Sequence, residues 1–163
     1  MADKVELRQA LRKEVEQIVA SDKPDYEVLE RVVKLVHEAH TSWHWSGIYL
    51  MKDGVLVLGP RSAPAEHERI EVGEGVCGTA VAEDANQLVE DVREVENYLA
   101  CSINTRSELV VLIRHEGRIV GQFDIDSDEV GAFGREDEAL LEELAELVAP
   151  RVASLADEET GSG

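Results

Sequence analysis

Apolar residues recur at helical spacing near the start of the chain, at Val5, Leu7, Leu11, Val15, Ile18 and Val19. The segment Ser21–Pro24 breaks this stripe. A second helix is predicted from Tyr26 to Ala39, with Val28, Leu29, Val32, Val33, Leu35 and Val36 apolar. The period then shortens. WSGIYLMKDGVLVLGP reads as a hairpin, turning at Lys52-Asp53-Gly54 because Asp-Gly tolerates the positive φ of a tight turn. RSAPAEHERIEVGEG reads as a loop, a short strand and a turn. VCGTAVAED starts a short helix after Gly73 and Gly75, and NQLVEDV is a short strand running into a loop over Val92–Thr105. SELVVLIRHEGRIVGQFDIDS is the clearest hairpin, with β-branched arms around Glu116-Gly117. An amphipathic helix follows, with acidic residues in its first turn where the helix dipole favours them. The order of elements predicts an α+β fold, an antiparallel sheet with N- and C-terminal helices packed on it.

A chain of 163 residues suits one domain, here 1–155, with 156–163 as a disordered tail. There are 35 acidic and 16 basic residues, a formal charge of -19, which repels nucleic acid and anionic membranes. No apolar run approaches the roughly 18 residues of a transmembrane helix. The start MADKVELRQALRKEVEQ is too charged for a secretory signal, so a cytoplasmic location is expected. The two cysteines are then not a permanent staple. The five histidines have no sharp ligand spacing, and neither CxxC nor HExxH occurs, so no metal site is expected.

Four groups of residues suggest chemistry. Cys77, in GEGVCGTA, sits at a glycine-flanked helix start, where amide N–H groups favour an anion or a thiolate; a small buried hydrophobe is the plainer reading. Cys101 has polar neighbours, including Arg106, which suits either a stabilised thiolate or an unreactive loop thiol. Asp124 and Asp126 alternate along one strand, so they share a face with Val120 and Gln122. Paired carboxylates are tolerated at a solvated surface or where a cation or proton is held. Glu108 opens an apolar run and suits a general acid if buried. Trp43, Trp45, Gly47 and Tyr49 alternate onto one face, either as core or as an apolar wall for a ligand.

Together, WSGIYL, LGP, GEGVCGTA, VEDV, YLACSINTRSE and GQFDIDS resemble the GAF-fold free methionine-(R)-sulfoxide reductases, from about Trp45 through Asp126. The two cysteines, 24 positions apart and followed by TRSE, carry most of the resemblance. It implies a GAF-like fold and a thiol-dependent reductase without metal or organic cofactor. In that role Cys101 is the nucleophile that becomes a sulfenic acid, Glu108 protonates the sulfoxide oxygen, and Asp124 and Asp126 hold the substrate ammonium. Trp45 and Tyr49 wall the S-methyl group, and backbone amides near Cys77 and Cys101 hold the substrate carboxylate. Many members carry a third cysteine where this chain has His67. Cys77 is then the remaining thiol to resolve Cys101 as a disulfide, the alternative being direct attack by an external thiol. Thioredoxin or a similar dithiol would be the reductant, and a homodimer is implied. The competing readings are a non-catalytic GAF sensor for a small molecule and a structural dimerisation module.

Overall fold

The structure is a computed structural model describing residues 4–95 and 104–158. Helices α1 (Lys4–Val19) and α2 (Asp25–Glu38) precede the hairpin β1 (Trp45–Lys52) and β2 (Val55–Arg61). Strand β3 (Arg69–Glu71), helix α3 (Gly75–Glu83) and strand β4 (Gln87–Val89) follow, then the hairpin β5 (Ser107–His115) and β6 (Arg118–Ser127) and helix α4 (Arg135–Asp157). The six strands form one antiparallel sheet in the order β3-β2-β1-β6-β5-β4. Both predicted hairpin turns form: φ is +51° and +78° at Asp53 and Gly54, and +53° and +81° at Glu116 and Gly117. Positive φ at both central residues matches the twist of the flanking strands. The expected Val92–Thr105 loop begins with a 3-10 turn, Val92–Glu94, capped by the Asp91 carboxylate accepting from the Arg93 backbone N–H.

The sheet separates two apolar layers. On one face lie α1, α2 and α4, packed on Ile48, Leu50, Leu109, Val111, Ile113, Phe123 and Ile125. The α2 stripe Val28, Leu29, Val32, Val33 and Val36 recurs once per helical turn and is buried there. On the other face, Trp45, Tyr49, Val110 and Leu112 meet Val76, Cys77 and Ala80 of α3. Strand alternation sends odd and even positions of β5 and β6 to these two layers. Among the described residues, no helix is long and apolar enough to cross a membrane.

Two expectations about faces are corrected. Val120 does not share a face with Asp124 and Asp126; it packs in the helix-side layer. The pairing steps from Ile113–Gly121 to Arg114–Ile119, so Val120 is the extra residue of a bulge, which turns its side chain over. Trp43 does not alternate with Trp45 either. It precedes β1 in a turn closed by its N–H on the His40 carbonyl, and its ring packs among helix-side residues against His40 and Phe133.

Candidate active site

Three strands and one helix supply the side chains. β6 lies between β1 and β5, so cross-strand register sets out three rows on the α3 face. The first is Trp45, Asp126 and Glu108; the second is Gly47, Asp124 and Val110; the third is Tyr49, Gln122 and Leu112. Directly paired residues have Cβ atoms about 4.5–5.5 Å apart, so each row is a contact line. Glu108, Asp124 and Asp126 are therefore neighbours because of register alone. All three are at most 2% exposed, which rules out the solvated-surface reading of the aspartates.

Helix α3 lies over this face and delivers Cys77 from its first turn. A Cβ on Gly78 would collide with the Glu71 carbonyl oxygen, so the bare glycine lets that turn press against the end of β3. Cys77 Sγ donates to Glu108 Oε2 at 3.8 Å. Cys77 Sγ and one carboxylate oxygen each from Glu108 and Asp124 lie within 4.8 Å of one another. A thiolate and two carboxylates are also donors of the kind that hold Zn²⁺. Cys77 is buried among apolar residues, as the plainer reading has it, and also touches an acid.

Burial is the largest cause pushing the Glu108 pKa well above the usual carboxylate range. The negative charges of Asp124 and Asp126 push it the same way, followed by hydrogen bonding to each of them. Carboxyl groups bond to one another only through a shared proton, so this cluster retains one where isolated acids would have lost it. The cost of holding charge here is several kcal/mol per ion. It is offset across the sheet, where Leu109, Val111, Ile113, Phe123 and Ile125 are buried and each contributes roughly 1.5–3 kcal/mol.

The sign of the resulting pH dependence is fixed. An acid whose folded pKa is raised favours folding below its unfolded pKa and loses that contribution as pH rises toward the folded value. Glu108→Gln should therefore be more stable than the parent chain at neutral pH. The gap should open from about pH 4.3, where an unfolded Glu ionises, and widen as pH rises. Denaturant melts of both chains from pH 4 to pH 8 measure it; a constant gap would contradict the raised pKa.

Trp45 and Tyr49 are held by their polar atoms. Trp45 Nε1 donates to the Ala63 carbonyl at 2.8 Å, and the Tyr49 hydroxyl donates to the His67 carbonyl at 2.8 Å. The Trp45 ring reaches over Gly47, where any Cβ would strike it, and so lies beside the row of Asp124. Position 67 thus contributes its backbone oxygen to the seating of Tyr49. Sequence reasoning placed Gln122 on the aspartate face but gave it no role. It is fully buried, and its Nε2 donates to the Cys77 carbonyl at 3.4 Å, tying α3 to β6. The period-two alternation of GQFDIDS was the available signal.

Cys101 lies within 96–103, outside the described residues. The residues on either side of that segment are tied together: the Val92 N–H donates to the Arg106 carbonyl and the Arg106 N–H to the Ser127 carbonyl, each at 2.7 Å. Arg106 itself stands two positions before Glu108. A groove of about 650 Å³ between α1, α2 and the start of α4, walled by Leu11, Trp43, Phe133 and Leu140, lies on the opposite side of the sheet and contains none of the site residues.

Comparison with known proteins agrees with this architecture. The GAF domain family model matches residues 24–152. The free methionine-R-sulfoxide reductase of Escherichia coli is 37% identical over 142 residues, covering 87% of this chain and 86% of that protein. Among solved structures, the free methionine-R-sulfoxide reductase of Neisseria meningitidis, in complex with its substrate, superposes with a TM-score of 0.86 at 33% identity, covering 96% of this chain and 95% of that one. The reduced form of the Staphylococcus aureus enzyme superposes with a TM-score of 0.83 at 30% identity, covering 90% and 95%. The chain is a GAF-domain protein and belongs, within that family, to the free methionine-R-sulfoxide reductases.

Proposed function

We propose that this protein reduces free methionine-R-sulfoxide to methionine by thiol chemistry. The observation that carries the reading is a buried acid, Glu108, in contact with a thiol and flanked by two more buried carboxylates. In the first half-reaction the Cys101 thiolate attacks the sulfoxide sulfur and Glu108 donates a proton to the sulfoxide oxygen. The S–O bond of the substrate breaks, methionine leaves, and oxygen remains on Cys101 as a sulfenic acid. Protonation is needed because an unprotonated oxygen transfers poorly, and a carboxyl whose pKa burial and neighbouring charges push well above the usual range supplies the proton.

Asp124 and Asp126 receive the substrate ammonium, which supplies the positive charge that three crowded acids require. This confines the enzyme to the free amino acid, since an amide nitrogen carries no charge. Trp45 and Tyr49 pack against the S-methyl group. Backbone amides near Cys77 and Cys101 hold the substrate carboxylate. Cys77 then attacks the sulfenic acid, water leaves, and a Cys77–Cys101 disulfide remains. A dithiol protein of the thioredoxin type restores both thiols by exchange. The cytoplasm, where such reductants operate, is the fitting compartment, and a homodimer the fitting assembly.

The resolving step is tested with the Cys77→Ser chain. Methionine release should persist with dithiothreitol, which attacks a sulfenic acid directly, and should fall to background with thioredoxin. Equal rates with both reductants would remove Cys77 from the mechanism.

A further inference from the structure

We infer that Cys77, Glu108 and Asp124 form a binding site for one Zn²⁺ ion, with the thiolate and one oxygen from each carboxylate as its protein ligands. The inference goes beyond the reductase reading and does not depend on it. It starts from distance. Cys77 Sγ and one oxygen each from Glu108 and Asp124 lie within 4.8 Å of one another, and Sγ is 3.8 Å from Glu108 Oε2. Zinc binds sulfur at about 2.3 Å and oxygen at about 2.0–2.2 Å, so a tetrahedral ion holds such donors about 3.4–3.6 Å apart. Shifts of roughly 1 Å close the cluster onto an ion. Three separate elements supply the donors, α3, β5 and β6. Glu108 and Asp124 are diagonal neighbours, because Glu108 pairs with Asp126 and Val110 with Asp124.

A second observation comes from Gln122, which is not one of these donors. It is fully buried, and its Oε1 has no hydrogen-bond donor among the described residues. Its Nε2 donates to the Cys77 carbonyl at 3.4 Å, which holds the amide beside the first turn of α3. Gln122 precedes Asp124 by two positions on β6, so both face that helix. Buried acceptors are normally paired, with the protein or with a bound species. Zinc held by three protein ligands keeps a fourth position for water, and a bound water is the kind of donor that this oxygen lacks. The donor set also chooses the ion. Calcium and magnesium take oxygen ligands, whereas a thiolate favours softer ions such as Zn²⁺.

Cobalt(II) is the probe, because it accepts the same donors and shows a near-ultraviolet charge-transfer band when a thiolate binds it. The experiment uses the full chain carrying Cys101→Ser, in which Cys77 is the remaining thiol. Cobalt is titrated directly and is also added during refolding from urea, so that slow entry to a buried site does not hide binding. The band should appear, saturate at one cobalt per chain and disappear when zinc is added. Adding Glu108→Gln or Asp124→Asn, each of which keeps the shape of the side chain, should weaken cobalt binding at least about 10-fold, since losing even an outer-shell partner of a metal costs that much. Circular dichroism checks that each variant is folded. Absence of the band by both routes, or parental cobalt affinity in both carboxylate variants, would overturn the inference and leave the proposed function standing.

Discussion

Replacing Glu108 with glutamine should lower turnover of free methionine-R-sulfoxide by about 10²- to 10⁴-fold, the span that positioned proton transfer contributes to a reaction. The substitution keeps the length and shape of the side chain. It also removes a group whose ionisation is costly in its surroundings, so the protein should fold at least as well as the parent. The loss should appear mainly in kcat, because in the proposed mechanism the acid acts on the oxygen as the S–O bond breaks, whereas Asp124 and Asp126 would hold the ammonium. An interaction made only in the transition state lowers kcat and kcat/KM together. Steady-state rates with dithiothreitol, beside a denaturant melt, measure both quantities. A variant with near-parental kcat would exclude Glu108 as the acid. The combination of higher stability with lower activity would mark the site as one where function opposes stability.

Cys101→Ser should abolish methionine release altogether. A serine hydroxyl is a far weaker nucleophile toward sulfur and cannot become a sulfenic acid, so no partial pathway remains. Substrate binding should survive, because the carboxylates and aromatic side chains proposed to hold the substrate are untouched. Calorimetric titration of the inactive chain with methionine-R-sulfoxide should give a saturable signal, lost in Cys101→Ser/Asp124→Asn. Turnover retained in Cys101→Ser would transfer the nucleophile's role to Cys77, the thiol in contact with Glu108.

Much of this arrangement is legible in the chain before any coordinates. Asp53-Gly54 and Glu116-Gly117 announce their hairpins because few dipeptides accept positive φ twice in succession. Period-two spacing places Asp124 and Asp126 on one face, and register with Glu108 then follows from the hairpin. Alternation misleads where its assumption fails. Val120 is displaced by a bulge, and Trp43 belongs to a turn before the strand begins. Whether the aspartates are buried is not readable in a chain with 35 acidic residues, since an abundant residue type carries little information at any one position. Least legible is the contact between Cys77 and Glu108. It joins residues 31 positions apart through the seating of α3 on the sheet, which depends on packing at Gly78 and on the Gln122 amide rather than on any local pattern.

The paired aspartates give the central claim its sharpest form: buried negative charge selects a substrate that brings its own cation. The direct measurement compares initial rates on free methionine-R-sulfoxide and on its N-acetyl derivative, with dithiothreitol as reductant. The two share the sulfoxide and differ in the ammonium. Leaving a buried charge unpaired costs about 3–5 kcal/mol, so the acetylated compound should be slower by at least about 10²-fold in kcat/KM. Equal rates on the two compounds would contradict the account.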